Sequence, residues 1–197
     1  MPRFVEVGAF DCQSWSHTYP LALEGWDGLM FEPQPDMVAL CKKCYKDYPN
    51  ITIENCAIGE HNNRDVKLYM FGSLTTVRDD MIKVFNDQGY GINANHFILA
   101  RMYTLDDRLE HYSWQPDFEL LVVDVEGAEM QVLNGFTITK WRPKKVIIEA
   151  CDPCPDPLLF ERTTKVREYM AKNGYRETGQ ELFDLIFEIG DTHDRPF

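Results

Sequence analysis

The chain is poor in positive charge: 20 Lys and Arg stand against 32 Asp and Glu over 197 residues, a net charge of −12. Nucleic-acid backbones and anionic membrane surfaces reward the opposite sign, so neither is expected as a partner. Long apolar runs are missing as well; none approaches the roughly 20 residues of a membrane span. The opening MPRFVEVG lacks the layout of a signal peptide, which points to a soluble, cytoplasmic protein. Repeats and low-complexity tracts are absent. Six cysteines without an export signal read as reduced thiols. Two pairs, Cys41/Cys44 and Cys151/Cys154, have the CxxC spacing of zinc ligands. They lie far apart and neither has a histidine beside it, so ordinary thiols are the simpler reading.

What the chain does have is apolar material, 44% hydrophobic and 13% aromatic residues, enough to bury one core. One domain is expected over 1–190, with 191–197 as a loose tail. Apolar runs at 3–8, 28–32, 51–59, 118–127 and 145–150 read as strands. A helical stripe covers 36–48 behind Pro35, and another covers 157–174 and is closed by Gly174. Residues 175–190 give two strands around a polar turn, too close together for a crossover, so they form a hairpin. An insert, 60–117, carries strands near 65–71 and 101–105, a helix around 77–87 and the loop 88–96. The helix after the first strand is the hardest to place, because Pro20 interrupts its sequence. Alternation of strand and helix predicts an α/β, Rossmann-like three-layer sandwich. Its seven-stranded sheet is mostly parallel and ends in an antiparallel hairpin.

Ligands of such sheets sit beyond the C-terminal strand ends. This sequence puts acids there: Glu6, Glu32, Asp124 with Glu126, and Glu149 with Asp152. That pattern suits a cation. It repels a polyphosphate unless a metal intervenes. Glycine agrees by its scarcity, since a dinucleotide turn needs G-x-G-x-x-G and only Gly8 is present; Phe10 and Cys12 fill neighbouring slots of GAFDCQ. Glu32 follows Gly8 by 24 residues, near the ~20-residue offset of an acid that accepts ribose hydroxyls. A nucleoside carrying positive charge fits, and S-adenosylmethionine (SAM) answers that description.

The segments FVEVGAFDCQSW, GWDGLMFEPQP, NCAIGE, GSL (72–74), TLDD (104–107) and above all LLVVDVEGAEMQVLNGF (120–136) resemble the FkbM family of SAM-dependent methyltransferases. The resemblance runs from residue 3 to about 150. It implies a class I methyltransferase fold and O-methylation of a hydroxyl on a saccharide or small metabolite. Carried onto this chain, it implies donor-binding roles for Glu6, Gly8, Ala9, Phe10, Glu32, Pro33, Cys56, Ala57 and Asp124. By the same resemblance Ser73 lies near cofactor or acceptor; Glu149, ending the fifth strand, and Glu129, just beyond the fourth, are expected on the acceptor side by their positions. The chain departs from the family at Val122, where members commonly carry Lys, and at Phe10 and Cys12, where many carry Asn and Gly. It also lacks an N-terminal segment that members often have, so a second subunit of a homo-oligomer could complete the pocket.

Asp124 is the expected general base, with Glu126 as second choice, because a carboxylate ending an apolar strand needs a partner. Glu126 and Glu129 also flank the start of the next helix, where negative charge is favoured in any case. A divalent metal on Asp124, Glu149 and Asp152 is the other route to an acidified hydroxyl, and the less favoured one. No spacing selects among the histidines; His96, in the insert, is the best placed. Two other readings are open. One is a nicotinamide-dependent oxidoreductase, disfavoured by the missing glycines, the acidic strand ends and the hairpin. The other is a non-catalytic SAM-binding module, which Val122 keeps in play.

Overall fold

The computed structural model describes residues 1–150 and 157–190. The Cys151/Cys154 pair, Asp152 and the tail 191–197 lie outside the described residues.

In chain order the elements are β1 (Arg3–Val7), α1 (Tyr19–Leu23), β2 (Asp27–Phe31), α2 (Pro35–Cys44) and β3 (Ile51–Glu54). The insert follows, with β4 (Ala57–Ile58), β5 (Arg64–Tyr69), α3 (Asp79–Asp87), β6 (Phe97–Tyr103) and α4 (Leu105–His111). Then come β7 (Leu120–Val123), α5 (Glu129–Asn134), α6 (Ile138–Trp141), β8 (Lys145–Glu149), α7 (Pro157–Lys172), β9 (Tyr175–Glu181) and β10 (Asp184–Ile189).

Seven strands form one sheet in the order β3-β2-β1-β7-β8-β10-β9. The first five run parallel, and β10 is antiparallel to both β8 and β9. The expected sandwich with its terminal hairpin is therefore the observed fold. Alternation along each strand divides the core in two. Val5, Val7, Leu29, Phe31, Leu121, Val123, Val146 and Ile148 share one cluster with Val132, Leu133 and Met170. Phe4, Met30, Leu120, Val122 and Ile147 face the other way, against Ala22, Cys41 and Tyr45. Each large side chain so buried contributes about 2 kcal/mol, which is why short strands hold a regular sheet.

Three expectations are corrected. The run 51–59 is two strands: at Asn55 the chain leaves the main sheet, with Asn55 Nδ2 donating to Glu32 O at 2.9 Å and Pro33 O at 3.0 Å. β4 then joins β6 and β5 in a separate three-stranded sheet built by the insert. The run 118–127 yields only four residues of strand, because Glu126 (φ +52) and Gly127 (φ +98) turn the chain into α5. Pro20 does not prevent a helix; it sits in the first turn of α1, where its missing N–H costs nothing.

Candidate active site

Sheet register brings the site together. Val7 pairs with Phe31 and Val123, and Val123 with Ile148. The next residues on these strands, Gly8, Glu32, Asp124 and Glu149, therefore stand side by side at the same edge. Across the antiparallel pair, Asp184 aligns with Glu149. All of them line one cavity of about 670 Å³, together with Glu6, Glu126 and Glu181. Ala9, Phe10, Pro33, Cys56, Ala57 and Ser73 line it too. Asp152 is outside the described residues.

Gly8 is where β1 turns away from the sheet. Its φ is +91°, and a Cβ there would lie 1.7 Å from the carbonyl oxygen of Asp124. Gly8→Ala is therefore expected to destabilise the fold by more than about 3 kcal/mol in urea titration. Gly25, with φ +88° but nothing within 4 Å, is the control; Ala there should cost only about 1 kcal/mol of backbone strain.

The loop beyond Gly8 achieves with ordinary residues what glycines usually do. Phe10 (φ +45), Cys12 (φ +62) and Trp15 (φ +60) all take left-handed conformations, costing roughly 1 kcal/mol or more each. Contacts from β2 and α2 hold the first two there. Phe10 N–H donates to Glu32 Oε2 at 2.8 Å, Cys41 Sγ donates to Phe10 O at 3.1 Å, and Tyr45 Oη donates to Cys12 O at 3.4 Å. Cys41 and Cys44, the pair with zinc-like spacing, thus pack with Cys12 beneath this loop. Burial pushes the Cys44 thiol up to about 11, so it stays protonated.

Glu32 is buried and accepts backbone N–H bonds on both oxygens, from Phe10 and, at 2.7 Å, from Gln34. Burial raises its pKa to about 7 despite these two bonds. Glu6 faces α1, where its Oε2 accepts from Thr18 Oγ1 at 2.7 Å; burial carries it also to about 7. Asp124 is open to water through the cavity yet crowded by protein on its other sides. Burial and then the neighbouring Glu126 raise its pKa to about 8, against a lowering hydrogen bond with Glu149. Glu149 is pushed well above the usual carboxylate range by burial and by Asp124, to which it is hydrogen-bonded.

Glu129 does not line the cavity. It is fully buried at the start of α5, where Oε1 accepts from Gly127 N–H at 2.9 Å and Oε2 lies 3.5 Å from Arg162 Nη1. It braces the turn after Asp124 and reaches the cavity only through its charge. Carboxylate oxygens of Asp124, Glu126 and Glu149 lie within 4.8 Å of one another, a donor set that three acids could offer a hard divalent ion. Among the histidines the geometry favours His17 and leaves His96 elsewhere. His17 lines the cavity with Nε2 2.8 Å from Asp184 Oδ2, and that hydrogen bond raises its pKa. A contact across 167 residues left no local mark by which to find it.

A doubly wound sheet closed by a C-terminal hairpin, with its strand ends facing a cavity, is the architecture of class I methyltransferases. Within that class the chain belongs to the methyltransferase FkbM domain family, whose model matches residues 6–177. Solved structures agree on the fold. An FkbM methyltransferase from Methylobacillus flagellatus KT superimposes with a TM-score of 0.55 at 17% identity, over 95% of this chain and 43% of that one. A Klebsiella pneumoniae protein assigned as an O-methyltransferase gives 0.54 at 12% identity, over 96% of this chain and 74% of that one. The chain thus spans less than half the length of the first of these. No curated protein matches it. Among the described residues, no helix is long and apolar enough to cross a membrane.

Proposed function

We propose that the protein is a SAM-dependent O-methyltransferase acting on a hydroxyl of a saccharide or other small metabolite, with residues 1–190 working as one unit. The observation that supports it is the convergence of strand-end carboxylates on a single cavity beside the Gly8 turn. SAM fits these residues. Glu32 would accept the ribose hydroxyls, the apolar faces of Phe10, Pro33 and Ala57 would flank the adenine, and the anionic floor suits a ligand of net positive charge. When bound, the donor supplies a methyl group on a sulfonium, open to in-line attack by an oxygen. The protein contributes alignment of the two reactants, which lowers the barrier by pre-ordering them. Asp124, at the end of β7, takes the hydroxyl proton and is neutralised by it, and Glu149, hydrogen-bonded to Asp124, shares that proton. Glu126 is the second acid within reach.

Transfer of label from SAM to a hydroxylated acceptor tests the reading. Donor binding with no transfer to any acceptor would leave a SAM-binding module. The acid triad supports a second, metal-assisted route, and EDTA separates the two. We expect turnover to survive EDTA unchanged. Burial and repulsion among the acids raise the pKa values of Asp124 and Glu149, and carboxyls that favour a proton are poor ligands for a hard cation. Loss of turnover restored by Mg²⁺ would mean that Asp124, Glu126 and Glu149 hold a divalent ion, which would supply Lewis acidity to the acceptor hydroxyl.

A further inference from the structure

The charge around the cavity is one-sided. Its described lining holds seven carboxyl groups and one histidine, with neither Lys nor Arg. Two of those acids are occupied from within the protein: Glu6 by Thr18 and Ser16, Glu32 by two backbone N–H groups. SAM brings a net charge of only +1, from an ammonium, a sulfonium and a carboxylate.

The surplus lies at one end. From Glu32 on the β2 side to Asp184 on β10 the line of strand ends crosses four spacings, roughly 19 Å at ~4.8 Å each. The nucleoside end of a donor held by Glu32 leaves the β8–β10 end free, and there Glu149, Glu181 and Asp184 face the cavity. His17 offsets one of them by pairing with Asp184. Apolar side chains rim this mouth: Trp15 is 91% exposed, Leu182 75% and Phe183 43%, and all three line the cavity. An exposed Trp and Phe beside carboxylates offer flat faces for a ring together with counter-charges for an ammonium group.

We infer that the methyl acceptor is a ring-bearing hydroxyl compound carrying positive charge, an amino sugar or aminocyclitol in chemical class, held by Trp15 and Phe183 against Glu181. The inference rests on the methyltransferase reading and narrows its acceptor. Sugar phosphates, uronic acids and other anions are rejected by the same acids that favour the amine.

The test is calorimetric titration of the protein saturated with S-adenosylhomocysteine. Its probes are two matched sets: glucose, glucosamine and glucuronate, then galactose, galactosamine and galacturonate. The amines should bind at least tenfold more tightly than their neutral parents, and the uronates should not bind. Raising the salt to half-molar should shrink the amine advantage, since exposed charges are screened. Glu181→Gln should reduce the amine advantage two- to threefold and leave the neutral sugars unchanged. Trp15→Ala should weaken neutral and amino sugars alike. The inference is overturned if the amines bind no better than their parents, if a uronate matches them, or if no amine binds at millimolar concentration. The first titration reads the underlying assignment separately. Binding of S-adenosylhomocysteine without amine preference removes the acceptor class alone, whereas no binding of it removes both.

Discussion

Glu32→Ala is expected to weaken binding of S-adenosylhomocysteine by about 10²–10⁴-fold. Two ribose hydroxyls donating to a carboxylate contribute roughly 1.5–3 kcal/mol each, and every 1.4 kcal/mol is tenfold in affinity. The same change leaves the N–H groups of Phe10 and Gln34 without their acceptor, so the loop from Gly8 loses its tie to β2. Loosening that loop weakens binding further, because Phe10 and Cys12 are held in left-handed conformations by such ties. Glu32→Gln is no rescue, since an amide presents N–H to one of two donors that both need an oxygen.

The wild-type affinity should also depend on pH. Glu32 takes up a proton near pH 7, and a neutral carboxyl accepts the ribose less strongly, so affinity falls as pH drops below 7. Stability runs the other way. A carboxyl raised from 4.5 to about 7 holds its proton longer when folded than when unfolded. The folded state therefore binds more protons between these values, and stability declines as pH rises across them. Glu6 adds to the effect in the same window. The ligand-free protein should melt lower at pH 8 than at pH 5.5, and bound donor should narrow the gap. Isothermal titration and thermal melts read both. An Ala variant that binds S-adenosylhomocysteine within threefold of wild type would remove Glu32 from the site.

The acids of the site were legible in the sequence because a strand end is a local event: an apolar run stops and a carboxylate follows, as at Phe31-Glu32, Val123-Asp124 and Ile148-Glu149. Those positions share a sheet edge once the order of elements predicts a parallel sheet. Other features depend on tertiary placement. The split at Asn55 is invisible in ITIENCAIG, since both halves are apolar and only the insert's second sheet draws the chain away. The loop FDCQSW looks too poor in glycine for its turn, and it keeps its shape through Cys41 and Tyr45, which α2 supplies from some 30 residues away. Glu129 reads like its neighbours Asp124 and Glu126. Yet at the first position of α5 it points inward, to Gly127 N–H and Arg162. His17 gains its place only when β10 brings Asp184 beside it.

Asp124→Asn is expected to lower kcat by about 10²–10⁴-fold, the usual contribution of a positioned base, while leaving the fold intact. The replacement is isosteric and removes one of three crowded acids, so the variant should melt no lower than wild type, and higher at pH 8. Donor affinity should change far less than turnover, which separates a lost base from a lost binding group. The pH profile carries the stronger test. With Asp124 raised to about 8 by burial and by Glu126, the free enzyme holds most of its base protonated at neutral pH. kcat/KM should therefore climb as pH rises towards 8 and level off above it. In kcat the same limb should move to lower pH, because a positively charged donor beside Asp124 favours the carboxylate. Both limbs belong to the Asp124–Glu149 pair, so Glu149→Gln should displace them without abolishing turnover. Asp124→Asn should erase the rising limb altogether. A variant that keeps both its rate and its limb would pass the proton to His17, which lines the cavity with its ring held by Asp184.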